Sequence, residues 1–288
     1  FFFSGAVELI VFATTWLPSV DLNKYPIYPQ NPICSFLASD TTGSRFVTWR
    51  EASLDPYILA NNLSNVFHIN DVHGYESLTP RSMTILLREY ERNDTLDLRL
   101  LGLSDVRYIV VGKRPIDTTN LRKVFAADSL TIYENLLAKP RAYMAYSSQT
   151  VSSDSEVIEK MYDGKFDGRT ALFVKENIPQ LSDSNYTDVS QIRYDRLADE
   201  EIRLTVETQR KGMLILTDTY YPGWQCYING EEVPIFRANY SMRAVPLQAG
   251  SSSVVFKFEP KSFRVGWMIS AASSIIWIIG FLFLRRKP

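Results

Sequence analysis

Cysteine and histidine are the scarcest reactive residues in this sequence, two of each in 288 positions: Cys34, Cys226, His68 and His73. With that supply, and with no CxxC pair and no HExxH run, there is no donor set for zinc. The two cysteines stand 192 positions apart. They are free to pair in an oxidising compartment, but such sparse use builds no disulfide framework. Glycine-rich phosphate loops of the GxGxxG and P-loop kinds are missing, as is the GxSxG nucleophile elbow. An excess of charge is missing too. The 31 basic residues face 32 acidic ones, with no basic block in the interior, so nothing resembles a nucleic-acid footprint. These absences leave no expected cofactor, metal or nucleic-acid partner.

The one long stretch without charge is Val265–Leu284, VGWMISAASSIIWIIGFLFL, twenty residues of which ten are Ile, Leu, Val or Phe. At about 1.5 Å per residue a helix of that length spans roughly 30 Å, the thickness of a bilayer's hydrocarbon core. Its apolar gain outweighs the small cost of Ser270, Ser273 and Ser274, and Trp267 suits an interfacial anchor. The basic tail Arg285-Arg286-Lys287 marks its cytoplasmic end by the positive-inside rule, which places the preceding region outside. Phe1–Pro18 is apolar apart from Glu8 and lacks the basic start and small-residue cleavage site of a signal peptide. It reads as the outer end of an earlier transmembrane helix, with an amphipathic or core helix as the alternative.

Between these segments the pattern falls into two parts. After a proline-punctuated linker at 19–34, containing YPIYPQNP, short strands at Arg45–Trp49, Val66–Ile69, Val106–Val111 and Leu130–Tyr133 alternate with helices. One helix follows the cap Thr79 and Pro80, with Met83, Leu86, Leu87 and Tyr90 at i, i+3, i+4, i+7; a second covers about 94–103. This predicts a small α/β domain over 35–138. From there a helix at Asp154–Tyr162 sits among strands at Arg141–Tyr146 and Thr170–Val174. Evenly spaced strands follow at Gln191–Tyr194, Ile202–Thr208, Met213–Thr219, Trp224–Ile228, Glu232–Phe236, Arg243–Pro246 and Ser253–Phe258. Ile202, Leu204 and Val206 alternate with Arg203, Thr205 and Glu207, and Asn229-Gly230 is a strong hairpin turn. The expected class is α+β: the α/β domain, then an antiparallel β-sandwich over 139–262, flanked by transmembrane helices at 1–18 and 263–284, with a cytoplasmic tail at 285–288.

Aromatic residues are abundant, 16 Tyr, 16 Phe and 5 Trp. Their densest cluster is Tyr220-Tyr221-Pro222-Gly223-Trp224, answered by Arg237-Ala238-Asn239-Tyr240-Ser241-Met242-Arg243. Pro-Gly makes a turn, so Tyr220, Tyr221, Trp224, Tyr240 and Arg243 form a candidate glycan-binding or membrane-apposed patch. The plainer reading of the same residues is a turn at the end of a sandwich, held by Trp224 in the core. A second candidate is His73-Gly74-Tyr75-Glu76-Ser77, a tight turn before a helix. There His73 and Tyr75 are candidate glycan contacts, and His73 near Glu76 has the elements of acid–base chemistry. Four N-x-S/T triplets occur, at Asn62, Asn93, Asn185 and Asn239.

Six stretches carry a resemblance: YPIYPQNPI, HGYESLTPRSM, LLGLSDVRYIVV, LTIYENLLAKPRAYM, YYPGWQCYINGEEVPIFRANYSMRAVPLQAG, and FEPKSFRVGWMIS entering the last apolar run. In this order the chain resembles the YfhO family of bacterial multispanning membrane proteins, whose architecture is similar to GT-C glycosyltransferases. The resemblance implies transfer of sugar from a polyprenyl-phosphate carrier to an extracytoplasmic acceptor, such as a teichoic acid or another envelope glycopolymer. GT-C-like enzymes carry their catalytic acid in the first extracytoplasmic loop, which none of these stretches matches, so no catalytic residue is carried onto this sequence. The role implied for residues 19–262 is to help bind or position the acceptor. The alternative is a non-catalytic structural or protein-interaction module of a membrane complex.

Overall fold

The computed structural model describes residues 5, 7–12, 31–49, 63–73, 80–90, 95–112, 116–127, 129–163, 165–174, 178, 181, 189–198 and 200–285. Its described part is mixed α+β, dominated by three sheets, with an apolar helix at the C-terminal end. Residues 5 and 7–12 are helical, and Val7, Leu9, Ile10, Val11 and Phe12 are exposed there. The rest of the expected first span lies outside the described residues.

The first sheet gathers β1 (Arg45–Trp49), β2 (Asn70–Asp71), β3 (Val106–Val111), β4 (Leu121–Ala127) and β5 (Leu130–Asn135) in the order β2-β1-β3-β5-β4. Strands β2, β1 and β3 run parallel, and β5 and β4 complete it antiparallel. Both faces are covered, which explains why VRYIVV reads as an almost continuous apolar run. On one face lies α1 (Pro32–Ala38), started by Asn31, whose side chain accepts the Ile33 amide at 2.8 Å. Ile33, Cys34 and Leu37 pack there on Phe46, Val110 and Ile132. On the other face lie α3 (Arg81–Tyr90), following α2 (Leu63–Val66), and α4 (Leu98–Leu103), capped by Asp97.

The remaining strands form two sheets that share a core. One has the order β13-β12-β16-β10-β9, where β9 is Gln191–Ala198, β10 Glu201–Thr208, β12 Trp224–Ile228, β13 Glu231–Val233 and β16 Gly250–Phe258. The other has the order β6-β11-β15-β14-β8-β7, from β6 (Ala142–Ala145), β7 (Ser147–Val151), β8 (Thr170–Val174), β11 (Gly212–Thr219), β14 (Phe236–Ala238) and β15 (Met242–Leu247). Ile202, Leu204 and Val206 of the first meet Leu214, Leu216, Val245 and Leu247 of the second, with Val254 and Phe256 beside them. The period-2 alternation of β10 holds, with Arg203, Thr205 and Glu207 exposed. Strand β11 is buried on both sides, because Met213 and Ile215 face a further core with Phe173, Ala238 and Met242.

Several elements differ from expectation. Val66–Ile69 is not a strand: the chain is helical up to Val66, and His68 adopts a positive φ of 54° that breaks extension, leaving pairing to Asn70–Asp71. The predicted strand at 232–236 is split by Pro234 into β13 and β14, which join different sheets. Strands β4 and β7 had no counterpart in the sequence reading. The β7–β8 pair is parallel, a departure from the all-antiparallel expectation; α5 (Asp154–Tyr162) is the crossover helix that such a pair requires. Val151, Val157, Met161, Leu172 and Tyr240 belong to the core of the first sheet, so that core draws on residues beyond position 138. Cys34 and Cys226 form no disulfide with each other and are buried in separate cores.

Helix α6 (Lys261–Arg285) contains 22 residues, Lys261–Leu282, that are long and apolar enough to cross a membrane, with mean hydropathy 1.9 and none of the most apolar window buried by protein. Nothing in the described fold covers Ile269, Ile276 or Trp277.

Candidate functional site

The aromatic turn lies where β11 passes into β12, beside the end of β16 and the start of α6. Its geometry depends on Gly223, whose φ of +108° is unfavourable for other residues. A Cβ on Gly223 would sit 2.9 Å from the Phe258 ring and 3.1 Å from Pro260 Cβ. The backbone closes the clasp: the Glu259 amide donates to the Gly223 carbonyl at 2.8 Å, and the Tyr220 amide donates to the Ser241 carbonyl at 2.6 Å. Trp224 pairs in register with Phe258, their rings 5.4 Å apart, and the Tyr221 ring lies 6.5 Å from Phe258. Tyr221 is 52% exposed and Tyr220 36%. The turn therefore displays its tyrosines and tucks its tryptophan partly into the shared core.

Arg243 backs the turn from inside. Its guanidinium carbon stands 3.7 Å from the Trp224 ring centroid, and its Nε donates to the Thr219 carbonyl at 3.1 Å. Burial lowers its pKa to about 10, against the opposing charge of Asp218, and its Nη1 has no hydrogen-bond partner among the described residues. Such a cation gains from the negative face of the indole. Burial likewise raises the Cys226 thiol to about 12, so it is an inert core group.

The other sequence candidates are placed differently. Tyr240, expected on the patch, is buried in the core of the first sheet; it adopts a φ of 72° next to Asn239 at 46°, a turn that swings the ring inward. Asn239 is fully buried. Its Oδ1 accepts the Leu172 amide at 3.0 Å and its Nδ2 donates to the Tyr143 hydroxyl at 3.1 Å, so in the folded chain it offers no site for a sugar. The other three triplets begin outside the described residues. His73 follows β2 in the first sheet; its amide donates to Asp71 Oδ1 at 2.9 Å, and its Nδ1 stands 3.9 Å from the same oxygen. Burial raises the Asp71 pKa, opposed by these two His73 interactions. Tyr75 and Glu76 lie outside the described residues. The structure thus brings together Tyr220, Tyr221, Trp224 and Arg243, and places His73 on another sheet.

A second polar constellation was not read from the sequence. Arg45 at the start of β1 and Arg141 just before β6 both grip Asp218 Oδ1, at 2.7 and 2.8 Å. Arg45 Nη1 also donates to the Ser104 carbonyl at 2.8 Å and to Thr217 Oγ1 at 3.0 Å. Arg141 Nη1 lies 3.5 Å from Asp105 Oδ2, and the Asp105 carboxyl is 2% exposed. Burial raises the Asp105 pKa to about 6, with the Arg141 and Arg45 charges pulling the other way. The cluster ties the first sheet to the six-stranded one. Each member precedes or ends an apolar strand, the one signal the sequence offered, but nothing in the sequence pairs positions 45 and 218. Neither constellation holds a nucleophile beside a base, and among the described residues no three His, Cys, Asp or Glu converge as a metal site. The arrangement braces and displays.

No curated protein and no solved structure matches this chain. The family model described as "Bacterial membrane protein YfhO" matches residues 158–270, from the second half of α5 through the strands of the two core-sharing sheets other than β6 and β7, and into the first turns of α6. That stretch contains the whole aromatic turn and its clasp to the helix, and over it the chain is similar to that family of bacterial membrane proteins.

Proposed function

We propose that this chain is the extracytoplasmic, C-terminal region of a multi-pass YfhO glycosyltransferase, in which it positions an acceptor glycan against the membrane surface. The protein then moves sugar from a polyprenyl-phosphate carrier to an envelope glycopolymer. Residues 35–138 and 139–262 act as its two outer units, the second a β-sandwich, and the catalytic acid belongs to another loop. One observation supports the reading above the others: Tyr220 and Tyr221 are displayed on a turn clasped to the foot of the apolar helix. Tyrosine faces there suit the apolar faces of pyranose rings, at the level where a lipid-linked sugar meets its acceptor. The test is acceptor titration of the intact membrane protein, with Tyr221→Ala and Trp224→Ala as variants. A rise in acceptor KM with donor KM unchanged supports the role; unchanged transfer with both variants overturns it.

A second reading, a structural or partner-binding module, is favoured by a different observation. Trp224 is covered by Arg243 and Phe258, and Tyr240 is buried, so part of the aromatic cluster serves the fold. That reading expects no glycan affinity, and loss of complex assembly when the sheets are destabilised.

A further inference from the structure

The foot of α6 has features that acceptor positioning does not use. A groove of about 320 Å³ opens there between the end of β16 and the first turns of the helix. Gln225, Glu259, Lys261 and Arg264 line it, with Phe258 and Phe263 as its apolar wall. Lys261 and Arg264 are exposed, and neither has an ion-pair partner among the described residues. Glu259 is the acid on the rim, so the groove is net basic. Phe263, 75% exposed, and Tyr221, 52% exposed, stand beside it. The apolar stretch begins in the same turn of helix. A helix that crosses a bilayer from this point puts the groove at the depth of the lipid headgroups. Aromatic rings and basic side chains are the residues that partition to that depth.

We propose that this end of the molecule is a docking surface for anionic phospholipid. Lys261 and Arg264 hold the headgroup phosphate in the groove, Gln225 offers its amide to it, and Phe263 and Tyr221 lie in the interfacial layer. The occupant follows from continuity with the membrane helix and from charge complementarity. A zwitterionic headgroup returns a positive charge to a groove that is already basic; an anionic one does not. The inference rests on α6 crossing a membrane; it shares Tyr221 with the proposed acceptor role, but the lipid test reads no sugar transfer, so the two can fail separately.

The test uses the full chain reconstituted in vesicles of phosphatidylcholine and phosphatidylglycerol, with a thiol-reactive dye at a single introduced cysteine. Cys34 and Cys226 are buried, so the dye goes to the introduced site. Three labelled variants are compared: Tyr221→Cys at the turn, Ser251→Cys about 24 Å up β16 at roughly 3.4 Å per residue, and Ile276→Cys within the helix. A headgroup nitroxide is expected to quench the dye at 221 several-fold more than at 251, and a bilayer-centre nitroxide to quench it at 276. In the same vesicles, Lys261→Gln with Arg264→Gln should lower the preference for spin-labelled phosphatidylglycerol over phosphatidylcholine by about fivefold or more, on the scale of one basic group near an anionic surface. Equal quenching at 221 and 251, with 276 still quenched, overturns the docking and leaves the span standing. Absence of quenching at 276 overturns the span and the docking with it. An unchanged lipid preference in the double variant overturns the assignment of the phosphate to Lys261 and Arg264.

Discussion

Two of the joints that tie the two core-sharing sheets to the rest of the molecule are built from opposite materials. Toward the first sheet, beside the apolar packing of Val157, Met161, Leu172 and Tyr240, one joint is charge: Arg45, Arg141, Asp105 and Asp218, withdrawn from water and held at 2.7 to 3.5 Å. Toward α6 the joint is apolar: Gly223 pressed on Phe258 and Pro260, with Trp224 and Tyr221 around the same ring. Buried ions tolerate little displacement, because any that loses its partner is left desolvated. Ring contacts tolerate a tilt of several degrees at small cost. The first joint therefore fixes a geometry, and the second seats a surface against something softer.

The largest effect is expected at Asp218. Removing it leaves Arg45 and Arg141 without their shared acceptor, and Asp218→Ala should cost about 3–5 kcal/mol in urea unfolding of the detergent-solubilised chain. A loss below about 1 kcal/mol would mean that water reaches the cluster and the charged joint is no tighter than the apolar one.

Asp105 gives the next effect, and it has a sign. Its carboxyl titrates near 6 in the fold against an ordinary value of 3.8, so the folded chain takes up that proton first. The stabilisation from this group is fully present below about pH 4 and is lost as pH rises through about 6. Two units correspond to about 3 kcal/mol. Asp105→Asn keeps the shape and tolerates the local φ of 64°. The difference between the unfolding free energies of the two proteins should change by about 3 kcal/mol in total between pH 4 and pH 7. Parallel curves would show that Asp105 is solvated.

The apolar joint gives the smallest effect. Gly223→Ala places a methyl group against Phe258 and forces an unfavourable φ, for about 1–2 kcal/mol. Its sharper signature is local. The turn should lift from the helix foot, and thermal unfolding should fall without any change in the pH slope set by Asp105.

Much of the second half of the chain was legible because its signals are local. Ile202, Leu204 and Val206 alternate, Asn229 and Gly230 both take the positive φ that the hairpin needs, and the helix at Asp154–Tyr162 has the expected bounds. The first half was harder. His68 turned an apolar tetrapeptide into a helix end, and Leu121–Ala127 interrupts its apolar residues with Arg122 and Lys123. In the candidate site, Tyr220, Tyr221 and Trp224 were found from a dense local motif. Tyr240 looked equally displayable, because only the backbone sign at two residues decides that it points inward. The arginine cluster was illegible for a different reason: its partners are separated by as many as 173 positions, and a pairing of that range exists only once the sheets are assembled.

The passage from β16 into α6 has a mechanical consequence. Only Glu259 and Pro260 separate strand from helix, and the Glu259 amide is tied to Gly223 on the neighbouring turn. A joint that short and that tethered behaves as a lever arm. Transmembrane helices lean by about 20° on average. Over the roughly 27 Å of β16 at about 3.4 Å per residue, such a lean displaces the far end of the sheet by about 9 Å along the membrane plane. Where α6 crosses a bilayer as proposed, a change in bilayer thickness that re-tilts it sweeps the sheets sideways, and the thickness of the lipid then sets how far this region reaches.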